Sequence, residues 1–481
     1  MKKGKWSFFT KTHCLVLAND AARLLDNLPE SDENTLNNIA VRYKEQHKTS
    51  FVTKENLQQI IDGLVFKAVE RTDCLLILDY FKNKSFSFRT TDKALDSTPE
   101  KKTSFAGDGA TSNGVLLQRY FLLREMAQDT VAKKRIGNSL SLIAEAHGGA
   151  EVFLFGLLKQ IGNTFYLEDE KDTIQVCIEP ETVFSGPGVF VPNTFVAVRG
   201  SREETVFRAR EFQNIEVDSL KKTIDKYDKE TPETQPLSED EHVLFVSGVF
   251  LDCNTAIARF EEILSAAEET GSIPYAIFMF GPFLGSEEED KYSKLKHCLG
   301  LFLKRIETYP AVTKKTKIVL IPAGEDPFET ALLPRLPIPS PLYETKNMKQ
   351  SPVCIFSVSN PLKIVLFGRN ITLFTKKCFK KVVEKDISRR TETSIRSVFE
   401  SIIGQFFLSI GDERDSFLLN HTDGLALYPV PEVVVFCDDN TQFYGNVSDV
   451  FCLCPGKFSM PDYPYFSLSF KEFKIRKHGL R

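Results

Sequence analysis

The chain has 481 residues, 42% hydrophobic and 26% charged, which suits two or three soluble domains with sizeable cores. A formal net charge of −4 excludes a protein whose main task is to coat nucleic acid by neutralising phosphates, while leaving room for a local basic patch. No apolar run approaches the roughly 18 residues of a membrane span, and the basic N-terminus lacks the uninterrupted apolar stretch of a signal peptide.

Residues 1–89 read as a small helical N-terminal domain, in which Thr53 caps a helix whose apolar positions Leu57, Ile60, Ile61, Leu64 and Val65 recur at helical spacing. "DCLLILDYF" and "KNKSFSFR" follow, the latter extended. Residues 90–117 are expected to be a linker, because 90–114 are rich in Ser, Thr, Gly and Lys. A helix then covers "LLQRYFLLREMAQDTVAKK". From Glu151 the period changes to that of strands: Val152–Lys159, Thr164–Glu168, Thr173–Ile178, and two more in "TFVAVRGSREETVFRAREF", with turns at Gly162-Asn163 and Glu170–Asp172. Five short strands joined by tight turns suit an OB-type barrel over 118–215.

Residues 216–240 are polar and charged, a second linker or a surface loop. Strands and helices then alternate: strand 243–247, helix 254–269, strand 275–280, helix 291–308, strand 317–322. That rhythm implies a largely parallel sheet with right-handed crossovers. Beyond 353 the pattern turns to hairpins, with a helix over 394–410 and strands at 432–437 and 465–470. The fold class is α+β multidomain.

Three apolar runs stop at Gly-containing loops: "VLFVSGVFLD", "YAIFMFGPFLG" and "KIVLIPAGEDP". This is the outline of a calcineurin-like phosphoesterase α/β sandwich, in which loops at strand ends hold two metal ions through Asp, His and Asn. The ligands are missing. The first loop has neither Asp nor His at its start, the second has no carboxylate before Glu287, and the third gives Ala323-Gly324-Glu325-Asp326-Pro327. Beyond residue 240 the only histidines are His242, His297, His421 and His478. The expected architecture is therefore a phosphoesterase-like sandwich over 241–481 that lacks its metal ligands: catalytic residues none, metal ligands none, cofactors none.

Taken together, "FVSGVFLD", "FMFGPF", "VLIPAGEDP", "FSVSNPLKI", "YPVPEVVVFCDD" and "CLCPGKF" resemble the B subunits of the replicative DNA polymerases, most closely the epsilon branch. The likeness covers about 150 to 481 and reaches the N-terminal segment more faintly. It implies a noncatalytic scaffold of the nucleus. Its OB and phosphoesterase-like domains would grip the C-terminal domain of the polymerase epsilon catalytic subunit. Its N-terminal domain would tie the polymerase to the replicative helicase through GINS. The B subunit of polymerase alpha or delta is the alternative within the family, and a divergent metallophosphoesterase is the alternative from another class.

Each candidate residue also has a structural reading. Glu325-Asp326-Pro327 is read as a turn and cap, Asp252 as an acid favouring a helix N-terminus, and His421 as an exposed loop residue. Cys452 and Cys454, a CxC with no second pair at zinc spacing, are read as strand residues. The run "KKCFKKVVEK" at 376–385 is expected to be a solvated helix face. A weak DNA contact through the barrel would use Phe165 and Tyr166 with Arg199, Arg202 and Arg208. Alternation puts Phe153 and Phe155 on one face, in the core.

Overall fold

A computed structural model describes scattered positions between 15 and 57, strands at 75–78, 86–89 and 94–97, and then 109–133, 139–147, 149–216, 241–285, 290–327, 332–343, 353–390, 394–411, 424–427, 430–438 and 441–479. Ile60, Ile61, Leu64, Val65 and His421 lie outside these. The chain divides into two compact units, Met1–Leu76 and Ile77–Arg481. In the first, strands Val16–Leu17 and Phe51–Val52 pair in parallel. Thr53 does cap: its Oγ1 accepts from the amide of Asn56 at 3.4 Å. The described positions of that unit therefore show a strand pair beside a capped helical turn, and do not establish an all-helical domain.

The second unit starts at Ile77, within the stretch expected to be the N-terminal domain, and regular structure continues into the stretch expected to be a linker. Ala94–Ser97 forms a hairpin with Phe86–Arg89, and helix α1 begins at Gly109 and runs to Lys133. The barrel follows: β1 (Leu140–Ser141), β2 (Glu151–Ile161), β3 (Thr164–Glu168), β4 (Thr173–Ser185), β5 (Thr194–Glu203) and β6 (Val206–Gln213). The strand order is β5-β6-β4-β3-β2-β1, and pairing of β5 with β2 closes it. Inside sit Leu154, Leu158, Val176, Phe190, Val198, Phe207 and Phe212. Phe153 and Phe155 are buried and share a face, but that face is the outside of the barrel. They belong with Tyr120 and Leu123 of α1 and with Phe374, Phe399 and Phe436 from beyond the barrel in one continuous core. Period-2 alternation fixes which residues share a face, not which face meets the larger core.

Residues 241–479 build two sheets. The first contains β7 (His242–Ser247), β8 (Ala276–Phe280), β9 (Lys317–Ile321) and β10 (Cys354–Ser357) in parallel, in order β10-β9-β8-β7. The crossovers are α2 (Asn254–Thr270), α3 (Lys291–Ile306) and the short α4 (Pro310–Lys315). Phe260, Leu264, Leu299 and Phe302 of α2 and α3 pack on Val246, Met279 and Leu320. Every residue of β8 is buried, as a strand covered on both faces demands.

The second sheet carries β11 (Leu362–Leu366), β12 (Arg369–Thr375), β13 (Val433–Cys437), β14 (Phe443–Val447) and β15 (Val450–Cys454) in order β14-β15-β13-β12-β11. Helices α5 (Phe379–Glu384) and α6 (Ile395–Gly404) pack on it. Strands β16 (Tyr465–Ser469) and β17 (Lys474–His478) return antiparallel to the first sheet beside β7. Helix α6 is shorter than the 394–410 read from periodicity. Phe406 turns to φ 47°, and Phe407 leaves to form a bridge with Ala426.

Candidate functional site

Parallel strands β7, β8 and β9 all end on the same edge, and each is followed by a glycine. A side chain at any of the three would strike another residue already there. A Cβ at Gly248, whose φ is +66°, would lie 2.8 Å from Cγ of Lys457. One at Gly281 would lie 2.1 Å from Oδ2 of Asp326, and one at Gly324 would lie 2.8 Å from an Nη of Arg335. The space that strand-end loops offer to ligands is thus taken by the chain's own Lys457, Asp326 and Arg335.

Those side chains stitch the loops together. Asp326 is 4% exposed. Its Oδ1 accepts from the amide of Phe283 at 2.9 Å and its Oδ2 from the amide of Ala323 at 2.8 Å. Burial pushes this carboxyl up to about 7, and the two amides and Arg335 only partly oppose that. Asn360 is fully buried and joins the two sheets: its amide nitrogen donates to the carbonyls of Pro322 and Thr375, both at 2.9 Å, and its Oδ1 accepts from the amide of Thr375 at 3.1 Å. The loop after β15 closes the set, with the amide of Phe458 donating to the carbonyl of Ser247 at 2.6 Å.

The remaining candidates do not converge. Glu325 pairs with Lys377 at 2.8 Å. Asp252 accepts from the amide of Gly285 at 2.9 Å and pairs with Lys294 at 3.4 Å. It ties two crossovers together rather than capping α2, whose cap position is Cys253. His297 is exposed on α3, and His478 bonds Ser467 at 2.7 Å and stacks on Tyr465, far along the chain from the strand-end loops. Cys454 is buried; its Sγ donates to the carbonyl of Thr441 at 3.0 Å, and burial holds the thiol up at about 12, so it stays protonated. Cys452 is buried on the same strand, its thiol also raised by burial. Asp438 accepts from the amides of Cys378 and Phe379 at 2.8 and 3.0 Å, capping α5. The run 376–385 is only partly a solvated face, since Phe379 and Val382 are buried, Lys376 bonds Ser409 and Lys385 bonds the carbonyl of Gly411. Among the described residues no three His, Cys, Asp or Glu side chains are placed to hold a metal ion.

The barrel's cations are engaged as well. Arg199 faces Glu211 at 3.3 Å and Glu151 at 3.8 Å. Arg208 bonds Glu203 and Glu179 at 2.6 and 2.7 Å, and Arg202 donates to the carbonyls of Glu204 and Ala146. Guanidinium groups so occupied do not line an open basic groove. Phe165 and Tyr166 are half-buried on β3.

What the barrel does present is a seam. Its loop 186–191 docks on α5 and α6. The amide of Val189 donates to Ser401 Oγ at 2.7 Å and that of Gly188 to Glu400 at 3.0 Å. Arg390 donates to the carbonyls of Phe184, Gly186 and Gly188. Arg119 of α1 lies 4.0 Å from the Phe407 ring centroid and donates to the carbonyl of Gln405 at 3.3 Å. Gln405, Ser401 and Arg335 did not stand out in the sequence, and Lys457 and Asp438 stood there only within segments that carry the resemblance. Each is a single polar residue whose partner is distant in the chain, and periodicity carries no trace of such pairs.

The described residues thus form a barrel fixed to a two-sheet α/β body, with the chain's own side chains filling the strand-end loops. Residues 243–445 match the family model of the DNA polymerase alpha/epsilon B subunit, and residues 115–215 match that of the DNA polymerase epsilon subunit 2-like OB-fold domain. The chain belongs to the DNA polymerase alpha/epsilon B-subunit family. It is 22% identical to the probable DNA polymerase epsilon subunit 2 of Caenorhabditis elegans, over 94% of this chain and 90% of that one. It is 21% identical to the DNA polymerase epsilon B subunit of Arabidopsis thaliana, over 90% of each. A solved archaeal phosphodiesterase aligns with 50% of this chain and 99% of its own at 10% identity with a TM-score of 0.28, too remote to speak to chemistry.

Proposed function

We propose that this chain is the noncatalytic B subunit of DNA polymerase epsilon, working in the nucleus as a scaffold. The observation that carries the reading is the sealing of all three strand-end glycines by Lys457, Asp326 and Arg335. A phosphoesterase needs an open, ligand-lined cleft there, whereas a scaffold needs a rigid body. The barrel and the α/β body, joined along the loop 186–191 seam, together grip the C-terminal domain of the catalytic subunit. Residues 1–89 link the polymerase to the replicative helicase through GINS. Holding the polymerase at the fork raises its effective concentration there, which is a positional mechanism with no chemical step.

The test is capture of the purified full chain by the isolated C-terminal domains of the polymerase alpha, delta and epsilon catalytic subunits, with metal content and phosphodiesterase activity measured on the same preparation. Selective capture by the epsilon domain, without hydrolysis, supports the reading. Capture by the alpha or delta domain moves the chain to another branch of the family. Hydrolysis with stoichiometric metal would overturn the scaffold.

A further inference from the structure

We propose that the outer edge of β14 receives an extended, uncharged strand of a partner protein, which joins the second sheet there. The inference goes beyond the scaffold reading, which names no strand, and does not depend on it. Among the described strands β14 ends the second sheet. It is joined to β15 through Ser448 and Asp449, whose φ angles of 49° and 66° are those of a tight hairpin turn. Val447 stands opposite Val450, Gly445 opposite Cys452 and Phe443 opposite Cys454. So tight a turn makes Val447 and Val450 a hydrogen-bonded pair, and such pairs alternate along an antiparallel ladder. Phe443, Gly445 and Val447 thus direct their backbone groups to β15, while the N–H and C=O of Tyr444 and Asn446 point away from it. Among the described residues no backbone hydrogen bond reaches those outward groups. Tyr444 is 57% exposed, and Asn446 is exposed as well.

Donors and acceptors alternating along one straight edge specify their occupant, because an extended backbone offers the complementary row. The edges of the first sheet are guarded: β17 presents Lys474, Arg476 and Lys477, and every residue of β10 is half-buried. Lysine, proline and bulges are what keep an edge from pairing. Residues 441–447 contain no charge and no proline, and the register of β14 with β15 runs unbroken. The two faces of β14 set the chemistry of the incoming strand. On the side of α6 the Phe443 ring stacks on Phe399 at 5.2 Å and lies across Gly445, so that face is filled from within. On the other side Tyr444 meets Phe466 at 5.7 Å and still stays mostly exposed. The incoming strand is therefore uncharged along this stretch and places an aromatic or β-branched residue beside Tyr444, a pairing that stabilises neighbouring strands.

Amide hydrogen exchange, resolved to single residues by mass spectrometry, compares the dilute full chain with the assembly purified on a tagged copy of it. In the free chain Tyr444 and Asn446 should exchange fast and Gly445 and Val447 slowly, because only the latter bond β15. In the assembly both outward amides should slow by about tenfold or more. Tyr444→Lys, a substitution at an exposed site, should restore fast exchange at Asn446 in the assembly, with Gly445 and Val447 still slow. Tyr444→Pro, which removes one outward donor and none of the bonds to β15, should do the same. Outward amides that are already slow in the dilute free chain, or equally fast in both forms, would overturn the proposal. So would protection that grows with the concentration of the free chain while its mass doubles, which would assign the edge to a second copy. Capture by the catalytic-subunit domains is a separate readout, so this inference and the scaffold reading fail separately.

Discussion

The side-chain amide of Gln405 pairs with both backbone groups of Phe195: its Oε1 accepts from the Phe195 amide and its Nε2 donates to the Phe195 carbonyl, each at 2.8 Å. β6 pairs with β5 only from Ala197 onward, so on that edge no strand residue stands opposite Phe195, while its other edge faces Leu157 of β2. Gln405, just past the end of α6, extends the ladder by one residue and in doing so fastens the barrel to the α/β body. Both residues are buried.

Gln405→Leu keeps the volume and removes both bonds. It leaves one buried amide and one buried carbonyl unpaired, at about 1–3 kcal/mol each. Urea unfolding should show a loss of about 2–5 kcal/mol, with the barrel and the body separating into two transitions. An unchanged midpoint and a single transition would mean that the seam does not depend on this pair.

Gly188 and Gly149 form a matched test of the same seam. Their φ angles are +85° and +86°, so an alanine at either suffers the same backbone penalty, of order 1 kcal/mol. At Gly149 the new Cβ meets nothing within 4 Å, whereas at Gly188 it falls 2.3 Å from Ser401 Oγ. Gly188→Ala should therefore cost about 1–3 kcal/mol more than Gly149→Ala. Adding Ser401→Ala to Gly188→Ala should recover only part of the difference, because the Ser401 amide nitrogen remains 3.0 Å away. Thermal denaturation of these three variants beside the wild type decides it.

The elements of the barrel and of the α/β body were legible from hydrophobic period and turn chemistry. Strand 164–168 and the start of α2 at 254 coincide with the sequence reading. Periodicity overran at α6, because Gln405 and the residues after it continue an apolar rhythm while the backbone turns at Phe406. Composition overran at the first linker, because Gly109-Ala110-Thr111-Ser112-Asn113-Gly114 opens a helix despite its poor propensity. What fills the space at the strand-end loops could not be read from the sequence. Lys457 reaches the loop at Gly248 from more than 200 residues downstream, and Gln405 reaches Phe195 across 210. Pairs of that kind leave no local pattern.

Asp326 gives the strand-end cluster a pH signature. Its folded pKa, about 7, lies above the value near 3.9 of an unfolded aspartate. A raised carboxyl contributes stability that is fully present below the unfolded value and is lost as pH rises through the folded one. Stability should therefore fall between pH ~4 and pH ~7, by an amount on the order of 4 kcal/mol from this group alone. Asp326→Asn removes the titration. It also turns an amide nitrogen toward the amide of Phe283 or Ala323, a cost independent of pH. The stability gap between wild type and Asp326→Asn, measured by urea unfolding from pH 4 to 8, should narrow as pH rises. A constant gap would show that Asp326 does not titrate in this window.

Cysteine reactivity separates the loops from the cores. Cys253 stands at the cap of α2, part-exposed, with its Sγ 3.0 Å from Thr255 Oγ1. That bond, followed by the Ala256 amide, lowers its thiol pKa below the ordinary value. Burial moves Cys437, Cys452 and Cys454 the other way. The thiolate is the reacting species, so at neutral pH iodoacetamide should label Cys253 well before those three. Thr255→Val should slow Cys253 alone, because it removes the largest of the interactions that lower this thiol. Peptide mapping of a time course reads all four sites at once. Early labelling of Cys452 or Cys454 would show that β15 opens readily, and the sealed strand-end loops would then have to be read as a mobile site.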